Sequence, residues 1–286
     1  MMQINNFLAL AASLAPIVRC HSHVSNIVVN GGSYQGFDPR GTNSEVLTAW
    51  YTEVEEDGWV GINDYNSSDI VCHVNATNSL GYASVAGGDK ISWYWAGWPE
   101  SHKGPIMTSM ARCGTDGQSC AEQDMASLEF FQIAESGLLD PDRRATDHSV
   151  AMGYWATDLL IERNYTWLVE VPDVIEPGFY IMRHELLALH YAQIPGMGPQ
   201  HYPQCVTLEV DSSGTARPAG IPVTEFYKPD APGIDYNIFV DELALPYEIP
   251  GPALISGAEE VVSQTASKIT DQVEATPIPD AKRSQA

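Results

Sequence analysis

Short segments in which apolar and polar residues alternate recur along the chain, and this period of two is typical of half-buried β-strands. The clearest examples are residues 90–95, 165–171 and 205–210. Clusters of Gly and Pro, such as those at 86–89 and 177–178, separate these runs. Many short strands punctuated by turns predict an all-β fold, an antiparallel β-sandwich with long loops and short helices.

Two long stretches, residues 33–69 and 105–155, contain few clean alternating runs. We expect structured loops with some helix there, and SLEFFQIAESGLL at 127–139 is a helix candidate. Long loops on a rigid sheet scaffold are where binding surfaces usually lie. The segment 257–286 changes character: it is rich in Ala, Ser, Thr, Glu and Gln and has no aromatic residue, which predicts a flexible tail.

The first 20 residues have the pattern of a secretory signal peptide. Residues 7–18 are apolar and have the length of its hydrophobic region, well short of the ~20 residues that span a bilayer. Val18 and Cys20 would precede the cleavage site, although no Lys or Arg lies before the apolar stretch. We therefore predict a secreted chain that begins at His21, with a main domain at 21–256; a buried N-terminal strand or helix is the alternative.

Cysteine usage agrees with an extracellular location. The chain has five cysteines, and removal of residues 1–20 takes Cys20 and leaves four. Cys113 and Cys120 enclose a short Gly-rich turn and are natural partners, which leaves Cys72 to pair with Cys205. Four buried free thiols are the alternative. Three Asn-X-Ser/Thr sequences, at Asn66, Asn75 and Asn164, are candidate glycosylation sites.

The chain is strongly acidic, with 37 Asp and Glu against 14 Lys and Arg. Such a surface repels nucleic acids and anionic membranes. It favours a neutral partner such as a polysaccharide, although a merely acidic secreted protein would have the same charge.

The candidate chemistry centres on His21. A histidine at a free N-terminus offers a metal its amine and its ring nitrogen. His102, beside a Gly-Pro turn, offers a second imidazole, and Tyr202 offers a phenol close to the predicted Cys72–Cys205 bridge. This nitrogen-rich set suits Cu(II). Without His21 at the terminus, His102 would be an ordinary loop histidine and Tyr202 an ordinary packed ring.

His190 and Gln200 are candidates for a polar pair that hydrogen-bonds to, or protonates, oxygen species at such a metal. His190 also follows the apolar run 186–189, and the sequence alone slightly favours a core histidine. We treat His23, His73, His148 and His201 as bystanders. No Gly-X-Ser-X-Gly motif supports a serine hydrolase, and no spacing selects a carboxylate pair for glycoside hydrolysis.

An ordered set of segments resembles the fungal lytic polysaccharide monooxygenases of auxiliary-activity family nine, formerly classed as glycoside hydrolase family sixty-one. The segments are 21–31, 69–73, 98–105, 133–138, 155–161, 183–190, 200–205, 227–234 and 249–254. Each fragment alone is weak, but the set covers nearly the whole mature chain in family order.

The resemblance implies an immunoglobulin-like β-sandwich with a flat, exposed site for one copper ion, held by His21, His102 and Tyr202. It implies that His190, Gln200 and Tyr202 take part in catalysis, and that Tyr236 and Phe239 contact the substrate. The implied reaction is oxidative cleavage of cellulose or a related β-1,4-glucan at C1, C4 or both. O2 or H2O2 would be the co-substrate, a small reductant or a redox enzyme the electron donor, and the protein a monomer.

The alternatives share the fold but not the reaction. One is a copper-binding protein without monooxygenase activity, and another is a carbohydrate-binding protein that needs no copper. A hydrolase would release reducing sugars without any reductant.

Overall fold

A computed structural model describes residues 22–54, 57–143, 151–258 and 263–282. The predicted signal peptide, His21 and His148 lie outside the described residues. The described strands are β1 (Val24–Val29), β2 (Gly32–Gln35), β3 (Gly81–Ala86), β4 (Lys90–Trp95), β5 (Ile106–Gly114), β6 (Glu129–Ser136), β7 (Leu138–Asp140), β8 (Tyr154–Trp155), β9 (Thr166–Glu170), β10 (Gly178–Ala188), β11 (Gln200–Asp211), β12 (Ile221–Pro222), β13 (Asp271–Gln272) and β14 (Thr276–Pro277). The described α-helices are α1 (Asp69–Cys72), α2 (Gly117–Ala121) and α3 (Ala156–Glu162), and 3-10 turns lie at Ile62–Asp64, Met125–Ser127 and Val223–Glu225.

The strands form two main sheets, which confirms the predicted β-sandwich. Within the described residues, one sheet has five strands in the order β13-β2-β1-β4-β9, and the other has seven in the order β12-β6-β5-β10-β11-β3-β14. β7 and β8 form a separate small pair. Most neighbours are antiparallel, but β3 runs parallel to β11 and β13 runs parallel to β2.

The main core lies between the two sheets. Trp93 and Trp95 of β4 meet Tyr180, Met182 and Leu186 of β10 there, and all five side chains are buried. In β4 the alternation places these rings on one face, as the sequence predicts. Burial of large aromatic and aliphatic side chains is the main favourable term that holds the two sheets together.

A second core covers the outer face of the seven-stranded sheet. Long loops and the short helices bring Trp50, Ile70, Phe226 and Ile238 against this face. The central strands are therefore buried on both sides, and β10 is buried from Phe179 to Ala188. Strands buried on both faces lose the alternating pattern.

This second layer explains where the predicted elements were wrong. The helix expected at 127–139 is strand β6 with a following strand β7, because Phe130 and Phe131 pack on opposite faces of the sheet. Residues 105–155, expected to hold few strands, contain β5, β6, β7 and β8. Because β6 has apolar residues on both faces of the sheet, its sequence lacks alternation and resembles that of a helix.

Both disulfides that the sequence predicts are present. Cys72 is bonded to Cys205, which joins α1 to β11, and Cys113 is bonded to Cys120, which joins β5 to α2. The first bridge closes a loop with a sequence separation of 133 residues. A disulfide that closes so long a loop stabilises the fold mainly by restricting the conformations of the unfolded chain.

The described part of the predicted flexible tail lies against the sandwich; we call residues 263–282 the C-terminal strap. β13 pairs with β2, and β14 pairs with β3. The side chain of Gln264 bonds both the N–H and the carbonyl of Leu168 on the edge strand β9, at 2.7 and 3.1 Å. Ala275 and Ile278 are buried. Polar sequence does not prevent order here, because an open sheet edge supplies backbone partners.

Among the described residues, no helix is both long and apolar enough to cross a membrane.

Candidate metal site

His102 lies in the loop that follows β4. Its carbonyl accepts a hydrogen bond from Nε1 of Trp98 at 2.8 Å, and its N–H donates to the carbonyl of Pro99 at 3.0 Å. The next residue, Lys103, is fully buried and pairs with Asp158 of α3 at 2.6 Å. These contacts fix the loop from both sides. His102 is buried, with 6% of the residue exposed.

Gln200 and Tyr202 begin β11 beside this loop. Both side chains are buried, and the hydroxyl of Tyr202 donates to Oε1 of Gln200 at 2.9 Å. The Tyr202 ring packs against Trp98 with centroids 4.9 Å apart, and its centroid lies 6.4 Å from that of His102. The structure therefore brings a loop imidazole, a phenol and an amide together at one end of the sandwich.

His190 joins the same group. Its ring is half-buried and stacks on the His102 ring with centroids 3.9 Å apart and planes inclined by 30°. It follows β10, which pairs with β11 so that Ala188 faces Gln200. The sequence left open whether His190 is a core residue; it lies against His102, at the edge of the core.

The fifth expected member, His21, lies outside the described residues, but the residues that follow it in the chain are described. The carbonyl of His23 accepts a hydrogen bond from the N–H of Ala96 at 2.9 Å. The N–H of Val24 donates to Oε1 of Gln204 on β11 at 3.3 Å. The start of β1 therefore lies between the end of β4 and the start of β11, beside the group formed by His102 and Tyr202.

The imidazole donor fits a transition metal such as copper better than calcium. His102 offers an imidazole nitrogen and Tyr202 a phenol oxygen, a combination suited to Cu(II). Among the described residues, no group of three or more His, Cys, Asp or Glu side chains could hold a metal ion. Among the residues that the structure describes, the start of β1 at His23 and Val24 lies beside these two donors.

A buried charged network lies beneath this end of the sheet. Glu185 accepts hydrogen bonds from Arg183 and His201, both at 2.7 Å, and from the hydroxyl of Tyr227. Burial alone would raise the pKa of Glu185, but the charges of Arg183 and His201 hold that pKa well below its usual value. Arg183 also donates to the carbonyls of Val71 and Ile70, at 2.7 and 2.9 Å. The network links β10, β11 and α1, and through His201 it holds the part of β11 that carries Gln200 and Tyr202.

The two expected substrate-contacting aromatics differ in exposure. Phe239 is exposed, at 47%. Tyr236 is buried: its hydroxyl donates to the carbonyl of Ala244 at 2.6 Å, and its ring packs against Trp155 and Tyr247. This packing leaves little of the Tyr236 ring at the surface, and contact of Tyr236 with the substrate stays a prediction.

Sequence reasoning missed Trp59. This ring is 38% exposed and lines a cleft of about 360 Å³ that also contains Asp64, Met197 and Gln200. Tyr191 of the adjacent 189–199 loop is 37% exposed. A tryptophan within a polar loop at Asp57-Gly58-Trp59 was the signal that could have identified it, because such a residue has no alternating neighbours to bury with.

The three candidate glycosylation residues, Asn66, Asn75 and Asn164, are all exposed. Asn75 donates a hydrogen bond to Glu53 at 2.9 Å.

The fold and this site define a class: a disulfide-linked β-sandwich with an imidazole and a phenol beside the first strand and aromatic rings exposed nearby. Residues 21–247 match Auxiliary Activity family 9 (formerly GH61). The chain belongs to this family, that of the lytic polysaccharide monooxygenases.

Individual relatives agree with the family match. The chain is 45% identical over 255 residues to AA9 family lytic polysaccharide monooxygenase E of Emericella nidulans, which covers 87% of this chain and 60% of that protein. It is 41% identical over 279 residues to lytic polysaccharide monooxygenase G of the same organism, covering 96% of this chain and 97% of that one. Among solved structures, the extended catalytic domain of H. jecorina LPMO9A superposes with a TM-score of 0.80 at 39% identity, over 90% of this chain and 100% of that domain.

Proposed function

We propose that this protein is a secreted copper-dependent monooxygenase that cleaves β-1,4 bonds of cellulose or a related β-glucan at C1, C4 or both. His21 would hold one copper ion through its amine and ring, His102 through its ring, and Tyr202 through its phenol oxygen. The observation that carries the proposal is the meeting of His102 and Tyr202 beside the start of β1. A family match that begins at His21 supports it.

Bound copper would supply one-electron redox chemistry and activation of O2 or H2O2, with electrons from a small reductant or a redox enzyme. The protein's part is to orient and protonate. Tyr202 is buried and held by Gln200, so its oxygen has one position. His190, half-buried on His102, offers a ring nitrogen that can hold or deliver a proton at the reacting oxygen.

The substrate surface follows from the exposed rings. Trp59, Tyr191 and Phe239 expose aromatic faces, and the cleft beside Gln200 is lined by polar Asn63 and Asp64. Exposed apolar patches rimmed by polar groups mark binding surfaces. A polymer packed in a crystal cannot enter a deep pocket, but exposed rings beside a metal can engage it in place.

Secretion makes the metal set possible, because only cleavage after Cys20 turns His21 into a free N-terminus. The signal-peptide pattern of residues 1–20, the two disulfides and the exposed Asn66, Asn75 and Asn164 support this step. The net charge of −23 is compatible with a neutral polysaccharide partner and unfavourable for nucleic acid.

The test combines mass and N-terminal analysis of the secreted protein with copper titration and incubation on cellulose. We expect a chain that starts at His21, one tightly bound Cu(II), and oxidised oligosaccharides that require both copper and reductant. His102→Ala should lose tight copper binding and product release together. Copper binding without oxidised products would support a copper-binding protein instead. Cellulose binding that is indifferent to copper would support a carbohydrate-binding module, and reductant-independent release of sugars a hydrolase.

A further inference from the structure

Three buried histidines from separate parts of the chain contact one segment, residues 57–65: His23 precedes β1, His73 follows α1 and His201 lies in β11. Nδ1 of His23 lies 2.7 Å from Oδ1 of Asp57, and Nε2 of His73 lies 3.1 Å from the carbonyl oxygen of Gly58. Nε2 of His201 lies 2.8 Å from the hydroxyl of Tyr65. Their exposures are 6%, 2% and 0%. A bystander histidine would be expected on the surface, so their shared attachment to one segment calls for a role.

The His23 contact holds the start of the first strand. Its ring is fixed to Asp57, its own carbonyl to the N–H of Ala96, and the following Val24 N–H to Gln204. Three hydrogen bonds, to three different parts of the chain, thus hold the backbone around His23. His21 is only two residues away, and consecutive Cα atoms are about 3.8 Å apart. The position of His23 therefore limits where His21 can reach.

Asp57 is built to hold that ring. Its carboxylate is buried, at 1% side-chain exposure, and accepts hydrogen bonds from both His23 and Arg40. Its backbone has a φ of 58°, a left-handed conformation that only a few non-glycine residues adopt readily. Burying a carboxylate is costly even when it is paired, so such a pair contributes little to stability and is better explained by the position it imposes.

The same segment is fastened at its other end to β11. Val60 and His201 exchange backbone hydrogen bonds of 2.9 and 3.0 Å. His201 lies between Gln200 and Tyr202 in sequence and faces the other side of the sheet, where it bonds Glu185 and Tyr65. Residues 57–65 therefore join the strand that follows His21 to the strand that carries Tyr202.

From this arrangement we propose that His23 is a positioning residue: its hydrogen bond to Asp57 sets the N-terminal segment, and with it His21, at the correct distance from His102 and Tyr202. His23 is not itself a ligand. The inference rests on the proposed function, because that function assigns His21 to copper.

A matched pair of substitutions tests it. In His23→Asn the side-chain N–H can occupy the place of ring Nδ1 and keep the bond to Asp57; in His23→Gln the N–H is moved to the place of Nε2 and the bond is lost. We expect His23→Gln to bind Cu(II) about tenfold or more weakly, with a changed EPR spectrum, the scale found when groups that orient a metal ligand are removed. The copper Kd of His23→Asn should stay within about threefold of that of the unsubstituted protein, and its EPR spectrum should be unchanged.

Gln264→Ala is the control for simple loss of stability. It removes the two hydrogen bonds of Gln264 to β9 and should lower the apo-protein melting temperature without changing the copper Kd or the EPR spectrum. Unchanged copper binding and EPR in His23→Gln would overturn the proposal. The proposal would also be overturned if both His23 variants bound copper equally weakly and their EPR spectra showed one coordinated nitrogen fewer. That result would make His23 a ligand. Failure of the unsubstituted protein to bind copper would instead overturn the proposed function, a separate and recognisable result.

Discussion

The hydroxyl of Tyr202 donates a hydrogen bond to Oε1 of Gln200, two residues earlier on the same strand, at 2.9 Å. Residues two apart on a strand point to the same face, so β11 itself sets this pair. The strand is paired on one side with β10, so that Leu186 faces Tyr202 and Ala188 faces Gln200. The phenol oxygen is thus oriented by a neighbour that the backbone holds in register.

Replacing Gln200 with Ala should separate catalysis from metal binding. Gln200 is assigned no bond to copper, so we expect the copper Kd to stay within about threefold, while release of oxidised products falls by at least about tenfold. Copper calorimetry and product analysis on cellulose measure the two effects. Gln123→Ala, which removes an exposed amide after α2, is the control and should change neither. A large loss of copper affinity in Gln200→Ala would mean that Gln200 is part of the metal site itself.

Trp59→Ala should weaken binding to the polymer without affecting the metal. The ring is 38% exposed beside the cleft that contains Gln200, and aromatic rings supply large contact areas at little entropic cost. We expect weaker adsorption to cellulose, lower product release and unchanged copper affinity. Ile269→Ala in the C-terminal strap removes a comparably exposed apolar side chain, at 41%, at the far end of the sandwich. Equal adsorption losses in the two variants would contradict a specific role for Trp59.

The fold class and three of the strands were predictable because the alternation of large apolar and polar side chains in them is local. β4 has the predicted bounds, Lys90–Trp95, and β9 and β11 lie where alternating runs occur. β6 was not predictable in this way, since Phe130 and Phe131 pack into different cores and only the second layer of loops explains both. The two disulfides followed from the cysteine count and spacing.

For the site, sequence identified the chemistry-bearing residues but not the residues that hold or surround them. The sequence was enough to select four residues that the structure brings together: His102, His190, Gln200 and Tyr202. The role of His23 depends on Asp57, which is 34 positions away in sequence, and no local pattern reports such a contact. Tyr236 and Phe239 are three residues apart, yet one is buried and the other exposed, because the burial depends on packing against Trp155 and Tyr247.

Truncation after residue 262 should destabilise the protein, although the sequence alone predicts a flexible tail. The strap supplies the pairing partners of β2 and β3 and buries Ala275 and Ile278. Loss of these contacts should lower the melting temperature by several degrees. Copper affinity should be unchanged, because the strands of the strap pair with β2 and β3 and not with the loop that carries His102. An unchanged melting temperature would show that the strap contributes no net stability.

Stability should fall as the pH is lowered from about 6.5 to about 4.5, through two histidines that are buried without charge. Burial lowers the pKa of His184 to about 3. Burial also lowers the pKa of His73 to about 4, against the opposing effect of its hydrogen bond to Gly58. In the unfolded chain both titrate near a pKa of about 6.5. Within this window the unfolded state therefore binds more protons than the folded state, and the free energy of unfolding decreases by at most about 1.4 kcal/mol per pH unit for each group.

Glu185 acts at lower pH. Its pKa lies well below the unfolded value of about 4.3, so its contribution is present above that pH and is lost only below it. Urea unfolding of the apo-protein across the upper window therefore isolates the histidines. In a His73→Asn/His184→Asn variant, which keeps a polar group near Nδ1 of each ring but cannot titrate, the decline should be smaller than in the unsubstituted protein. An equal decline in both proteins would assign the pH dependence to other groups.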